Sequence, residues 1–390
     1  MEQMTNKIRS IFHDRFETNP EIICSPGRVN LIGEHTDYNK GFVLPAAIDK
    51  YILLAMARNE QQKIRLYSVD MDSGYFETEV AREYKKAEIN WSNYIIGVVD
   101  ELEKAGHVIG GFDCVFGGNI PIGAGLSSSA ALESGVVFGL NRLYDLGLTR
   151  LEMITIAMQA ENRFVGVQCG IMDQFACING KKNSVIKLDC SSLEFQRYPF
   201  DRKDIRIMLC DTKVRRELAT SEYNIRREQC EEGVDTLRKY YPSINYLRDV
   251  SMPQLEKHEK DFDPVVYRRC CYVLLENSRV LKSCEDLMNQ DFSSVGRRMY
   301  QSHYGLRDDY EVSCPELDIL VKASESMEGV LGARMMGGGF GGCTINLVLH
   351  DKIDHIASNI EQYYHRQMGI MPDIHVVAIG EGTHLISGNS

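Results

Sequence analysis

Between Gly27 and Tyr38 the chain crowds Arg28, Asn30, Glu34, His35, Asp37 and Tyr38 around the short apolar segment Val29, Leu31 and Ile32. That density of charge is too costly for an ordinary core, because every polar group taken out of water needs a partner. It is also too ordered for an ordinary loop. The simplest reading is a set of donors and acceptors arranged around a polar ligand, and an array of sugar hydroxyls fits it.

With 390 residues, 44% hydrophobic and 25% charged, the chain has the composition of a soluble globular protein with enough material for two cores. The expected division falls near residue 200, where Tyr198, Pro199, Phe200 and Asp201 offer a break, giving domains 1–200 and 201–390. A net charge of -11 argues against nucleic acid as the main partner. The 12 cysteines are scattered from Cys24 to Cys343 without a Cys-x-x-Cys pair, so they read as reduced, buried thiols rather than a disulfide framework or a zinc site. Residues 1–19 read as an amphipathic helix carrying Ile8, Ile11, Phe12 and Phe16, not as a leader, and no apolar run is long enough to cross a membrane. The expectation is a cytoplasmic protein, a monomer or weak oligomer.

Hydrophobic patterning predicts strands over Phe42 to Arg58, Lys63 to Asp70, Phe112 to Phe116 and Ile205 to Cys210. It predicts helices over Ser127 to Leu140, Leu151 to Arg163, Ser221 to Tyr240, Tyr267 to Leu287 and Leu317 to Ser326. The end reads as a β-α-β unit: Cys343 to Leu349, Lys352 to Gln367, Ile374 to Ile379.

Three segments carry chemistry. In Pro121 to Ala130, Gly123, Gly125, Ser127, Ser128 and Ser129 lie between a strand and a helix. Glycines admit a phosphate close to the backbone, and a helix start offers free N–H groups, so this is an anion cradle; standing alone it would equally be a turn with a serine cap. There is no P-loop. Gly337 to Gly342 formally contains the dinucleotide fingerprint, but a strand rather than a helix follows it, which excludes that reading. Five glycines in six residues still require a backbone passing close to a ligand or to another chain segment. In Gly166 to Phe175, Asp173 is a lone acid in apolar surroundings. Either it caps a turn, or it is a buried carboxylate kept ionised by a cation, for which Arg28 is the candidate; the residues alone leave these two readings level.

Together the three segments resemble the GHMP kinases over nearly the whole chain, and Gly27 to Tyr38 is similar to the galactokinase signature within that superfamily. The resemblance implies an α+β, two-domain architecture: an amino-terminal half like ribosomal protein S5 domain 2, a ferredoxin-like carboxy-terminal half, and the active site between them. It implies ATP-dependent phosphorylation of the C1 hydroxyl of α-D-galactose to galactose 1-phosphate, the entry step of the Leloir pathway. By motif position Asp173 and Arg28 would be the catalytic pair, and Glu34, His35, Asp37, Gly170 and Tyr223 would contact galactose. Gly123, Gly125, Ser127, Ser128 and Ser129 would surround the ATP phosphates, Trp91 would lie near adenine, and Ser128 and Glu161 would hold Mg²⁺. Two departures are mild: Lys40 follows the signature at a variable position, and Met336 stands where the family often has threonine.

Two alternatives accompany this expectation. One changes the sugar to N-acetylgalactosamine, galacturonate or arabinose, although Glu34 and Asp37 disfavour an acidic one. The other is a non-catalytic sugar and ATP sensor, as among some fungal relatives that lack the Ser-Ala pair found here as Ser129 and Ala130.

Overall fold

The computed structural model describes residues 1–71, 74–121, 125–214 and 219–386. Its largest sheet has six strands in the order His384–Leu385, Glu21–Asn30, Pro45–Arg58, Phe112–Gly118, Lys63–Ser68 and Tyr75–Glu79. Only the pair Lys63–Ser68 and Phe112–Gly118 is parallel, and the helix Ser92–Lys104 lies in the connection between them. Side chains alternate across a strand, and here the alternation separates two apolar layers. Ile22, Cys24, Leu53, Ala55 and Val115 join Ile8, Phe12 and Phe16 of the helix Glu2–Phe16, whereas Ile23, Leu54, Met56, Cys114 and Phe116 face the main core. Against that second face lies the helix Ser128–Tyr144; a Cβ on its Gly135 or Gly139 would overlap Leu54 or Met56, so glycine sets how closely helix and sheet approach.

A second sheet has the order Val330–Met335, Cys343–Leu349, Ile205–Asp211 and Asp373–Val377, with neighbours antiparallel. The terminal β-α-β unit therefore straddles Ile205–Asp211, the split arrangement expected of a ferredoxin-like half. Ile356, Ile360 and Tyr364 of the helix Ile353–Met368 cover one face together with Met208, Cys210 and Val348. Ile207, Leu209, Ile345 and Leu347 on the other face enter the same core as the first sheet. A third, smaller sheet joins Phe42–Val43, Ser184–Asp189 and Phe195–Pro199.

Several expectations need correction. The strand Glu21–Asn30 was not expected, and the run expected over Phe42 to Arg58 breaks at Leu44, whose amide donates to Ile32 O at 3.0 Å. The helix expected over Leu151 to Arg163 ends at Gln159 and continues as a π-turn, Ala160–Val165. The two halves also interlock: residues near the chain end return to the first sheet, where Leu385 pairs with Ile23 and Ile379 bridges Ile48. One core thus spans both sides of residue 200.

The helix Phe292–Tyr304 meets the strand Val330–Met335 through Gly296 and Gly332, each of which would drive a Cβ into the other's segment. Gly296→Ala is expected to destabilise the protein by about 1–3 kcal/mol, the usual range for overpacking, read as a lower urea midpoint.

Candidate active site

Arg28 ends up buried, 6% exposed, near the close of the strand Glu21–Asn30. Its Nε donates to Asp173 Oδ1 and its Nη2 to Asp173 Oδ2, both at 2.7 Å, while Nη1 donates to Gly125 O at 2.6 Å. This two-pronged pairing is the geometry a guanidinium offers a carboxylate. Burial opposes the arginine's charge, but Asp173 and then Glu34 outweigh it, and the net shift of its pKa is upward. Asp173 lies in the first turn of the helix Met172–Asn179, where the exposed N–H groups favour an anion. Ser127 Oγ also donates to Asp173 Oδ2.

Ser127 precedes the helix Ser128–Tyr144 in a left-handed conformation, φ 56°. For a residue with a side chain that conformation is strained by about 1–3 kcal/mol, and here it accompanies the bond from the serine to the carboxylate. The three serines then diverge. Ser127 serves Asp173, Ser129 Oγ donates to Glu161 Oε1 at 2.9 Å, and Ser128 and Ser129 together line a neighbouring cleft. Gly123 lies outside the described residues.

Opposite the pair, the signature forms a tight loop held from the other half of the chain. The helix Pro264–Met288, started by Pro264 behind an Asp263 cap, presents Tyr272, Glu276 and Asn277 to it. Tyr272 OH donates to Glu34 O at 3.1 Å, Gly33 N donates to Glu276 Oε1 at 2.9 Å, and Phe42 N to Asn277 Oδ1 at 2.8 Å. Arg334 is completely buried and donates to Leu31 O, Asn30 O, Met335 O and Glu34 Oε1. His35 Nδ1 lies 2.8 Å from Tyr38 OH, and its Nε2 3.2 Å from Gly338 O. Burial, reinforced by nearby Arg226, pushes its pKa down to about 3, so the ring is neutral and links the signature to the glycine-rich segment.

Arg28, Glu34, His35, Asp37, Gly170, Asp173 and Tyr223 all line one cavity of 350 Å³, closed on one side by Gly337, Gly338 and Gly339. Gly170 packs directly on Asp37, where a Cβ would overlap the carboxylate. Burial first, then the charges of Asp173 and Glu34, push Asp37 up to about 6. Tyr223 sets its ring 5.4 Å from that of His35 and 5.3 Å from that of Tyr38.

The neighbouring cleft, 150 Å³, is bounded by Trp91, Tyr94, Phe116, Ile52, Ile120 and Leu132, with Ser128 and Ser129 at its polar edge. Trp91 packs edge-on against Phe116 at 5.2 Å. Gly125, ahead of the same helix start, turns with φ 71° and gives its carbonyl to Arg28.

Sequence reasoning did not reach the layer beneath Glu161. Gln174 Nε2 donates to Glu161 Oε2 at 2.8 Å and to the completely buried Glu133 Oε2 at 3.1 Å. Burial and then Glu161 push the Glu133 carboxyl well above its usual range, and burial and then Asp173 raise Glu161. The only sequence signal was Glu133 itself, an acid on the apolar helix that follows the serines. Among the described residues no cluster of three or more His, Cys, Asp or Glu forms a ready metal cage.

Residues 10–58 match the model of the galactokinase galactose-binding signature, 93–181 that of the GHMP kinase N-terminal domain, and 283–366 that of the GHMP kinase C-terminal domain. The chain is 39% identical over 388 residues to the galactokinase of Roseiflexus sp. (strain RS-1), covering 99% of this chain and 98% of the relative. It is 40% identical over 390 residues to that of Clostridium acetobutylicum, covering 98% of each. Lactococcus lactis galactokinase complexed with galactose superposes with a TM-score of 0.94 at 34% identity, covering 98% of this chain and 100% of that one. Methanococcus jannaschii mevalonate kinase, at 16% identity and TM-score 0.64 over 93% of this chain and 99% of that one, shares the fold.

The Asp37 carboxyl is expected to take up a proton as the pH falls through about 6, well above the range of an exposed aspartate. Carboxyl-labelled carbon NMR across pH 4.5 to 7.5 (about the range that brackets it) should show this step, and Asp37→Asn should remove it.

Proposed function

This chain belongs to the galactokinase family of the GHMP kinases, and on that premise we propose that it transfers the γ-phosphoryl group of ATP to the C1 hydroxyl of α-D-galactose, giving galactose 1-phosphate and ADP. The observation that carries the reading is the Arg28–Asp173 pair on the wall of the 350 Å³ cavity, close to the serine-rich helix start. Asp173 receives the hydrogen of the C1 hydroxyl and holds that oxygen towards the γ-phosphorus. Arg28 holds the carboxylate in place with two hydrogen bonds and offsets charge gathering on the phosphoryl oxygens. Phosphoryl transfer needs little more from the protein than position and field, and a bidentate ion pair supplies both.

Glu34 and Asp37 accept hydroxyls of the sugar, Gly170 leaves room for the Asp37 carboxylate, and His35 and Tyr223 form an aromatic wall. The start of the helix Ser128–Tyr144, with Gly125 and Ser127 to Ser129, cradles the phosphates. The apolar cleft beside Trp91 takes the adenine.

The donor set suits Mg²⁺. Glu161 has one oxygen bonded by Ser129 and the other by Gln174, which fixes the carboxylate while leaving acceptor capacity, and the Ser128 hydroxyl lines the cleft beside it. A hard cation that keeps most of its waters needs only such a pair plus phosphate oxygens. When bound it neutralises phosphate charge. A cytoplasmic enzyme completes the reading, supported by 12 cysteines that are all free thiols.

The decisive experiment is ADP release by the purified protein with Mg-ATP and galactose, N-acetylgalactosamine, glucose, galacturonate or arabinose, with the phosphate position read by phosphorus NMR. Galactose 1-phosphate is the expected product; no ADP with any sugar would favour a sensor. Asp173→Asn and Arg28→Ala should each lower kcat by about 10²- to 10⁴-fold or more, and near-normal turnover in either would overturn the mechanism. Glu161→Gln should raise the Mg²⁺ concentration for half-maximal activity by about tenfold or more at fixed ATP, and EDTA should abolish turnover.

A further inference from the structure

The carboxylate of Glu34 is held asymmetrically. Arg334 Nη2 donates to its Oε1 at 3.1 Å and the Gly337 amide donates to the same oxygen at 2.8 Å. Among the described residues, the side-chain bonds of Glu34 all fall on Oε1. Glu34 is 3% exposed, and what remains open borders the sugar cavity.

Arg334 is unusual in its own right. It is completely buried on the strand Val330–Met335, yet four acceptors satisfy it: Leu31 O at 2.8 Å, Met335 O at 2.6 Å, Asn30 O, and Glu34. Two of these carbonyls belong to the end of the signature strand, in the other half of the chain. A guanidinium with five N–H groups in a fixed plane can bridge them; an ammonium on a flexible stem cannot.

We propose that Arg334 is a positioning residue for sugar specificity: with the Gly337 amide it clamps Glu34 Oε1, so that Oε2 alone faces the sugar as a hydrogen-bond acceptor of fixed direction. This rests on the reading of Glu34 as a galactose ligand. It also assigns a polarity. Both clamping groups are donors, so in Glu34→Gln the amide carbonyl must take the Oε1 place and the NH₂ must face the sugar. One substitution then inverts an acceptor into a donor without changing shape.

The test is calorimetric binding, without ATP, of galactose and of its 2-, 3-, 4- and 6-deoxyfluoro analogues, in which fluorine accepts but does not donate. The native protein should bind galactose and discriminate against the analogue fluorinated at the hydroxyl that Glu34 accepts. In Glu34→Gln the ratio of galactose to that analogue should fall by about tenfold or more, the worth of one charge-assisted hydrogen bond, with ratios at the other positions unchanged. Arg334→Lys should erode the same ratio at the same position and raise the KM for galactose by about tenfold, with the KM for ATP moving less than about twofold. A merely structural arginine would weaken all five sugars alike, and that result, or an unchanged ratio, would overturn the clamp. Should Arg334→Lys fail to fold, a Glu34→Gln ratio that does not fall would overturn the fixed polarity. No galactose binding by the native protein would instead overturn the functional reading beneath it.

Discussion

The contact on which the rest of the site depends is the pairing of Arg28 with Asp173, two residues 145 positions apart in sequence. Arg28 lies within the core layer between the first sheet and its helices, where a lone guanidinium would be untenable. Removing one member of a buried pair costs about 3–5 kcal/mol, because the other charge is left without compensation. The pair therefore fixes where the helix Met172–Asn179 begins relative to the strand Glu21–Asn30. Gly125 and Ser127 close onto the same two groups, so the loop ahead of the helix Ser128–Tyr144 is registered by them too. Loss of Asp173 would thus disturb both chemistry and the local fold, whereas an amide in its place keeps acceptor and shape and separates the two effects.

Charge around the cavity narrows the ligand further. Glu34, Asp37 and Asp173 face it, and among the described residues that line it Arg28 is the one cation. Arg28 pairs with Asp173 and Arg334 with Glu34, while Asp37, raised to about 6 by burial first and then by the charges of Asp173 and Glu34, feels their repulsion. A neutral ligand rich in hydroxyl donors relieves that repulsion; an acid such as galacturonate would add to it. The same balance accounts for neutral His35, since burial and Arg226 both act against its protonation.

Much of this was legible in the residues. Hydrophobic patterning marked a strand at Phe112 to Phe116, the helical stripe marked Ser127 to Leu140, and one of two level readings of the isolated acid Asp173 named Arg28 as its partner. The strand Glu21–Asn30 was not legible, because it is covered on both faces and so lacks alternation, and because Pro26 and Gly27 interrupt it where the pairing register shifts. The return of His384–Leu385 to the first sheet rests on two residues, too few to carry a pattern. Arg334 and Gln174 were invisible for a different reason. A polar residue on a strand or helix looks like a solvent-facing position until its partners are known, and those partners are distant in sequence.

The glycine-rich segment shows why a motif is better understood by what it touches than by its spelling. Gly339 adopts φ 88° where a Cβ would overlap the Val312 carbonyl, so only glycine allows the backbone to pass there. That close passage brings the Gly337 amide to Glu34 and the Gly338 carbonyl to His35. The segment therefore supplies backbone groups to the sugar signature from the opposite half of the chain, while Arg334, three residues before Gly337, grips the same signature through its carbonyls. Main-chain groups on a segment this confined cannot reorient as side chains do. A pocket braced by them holds its acceptors in place before the ligand arrives, and the ordering that binding would otherwise require is already complete in the fold.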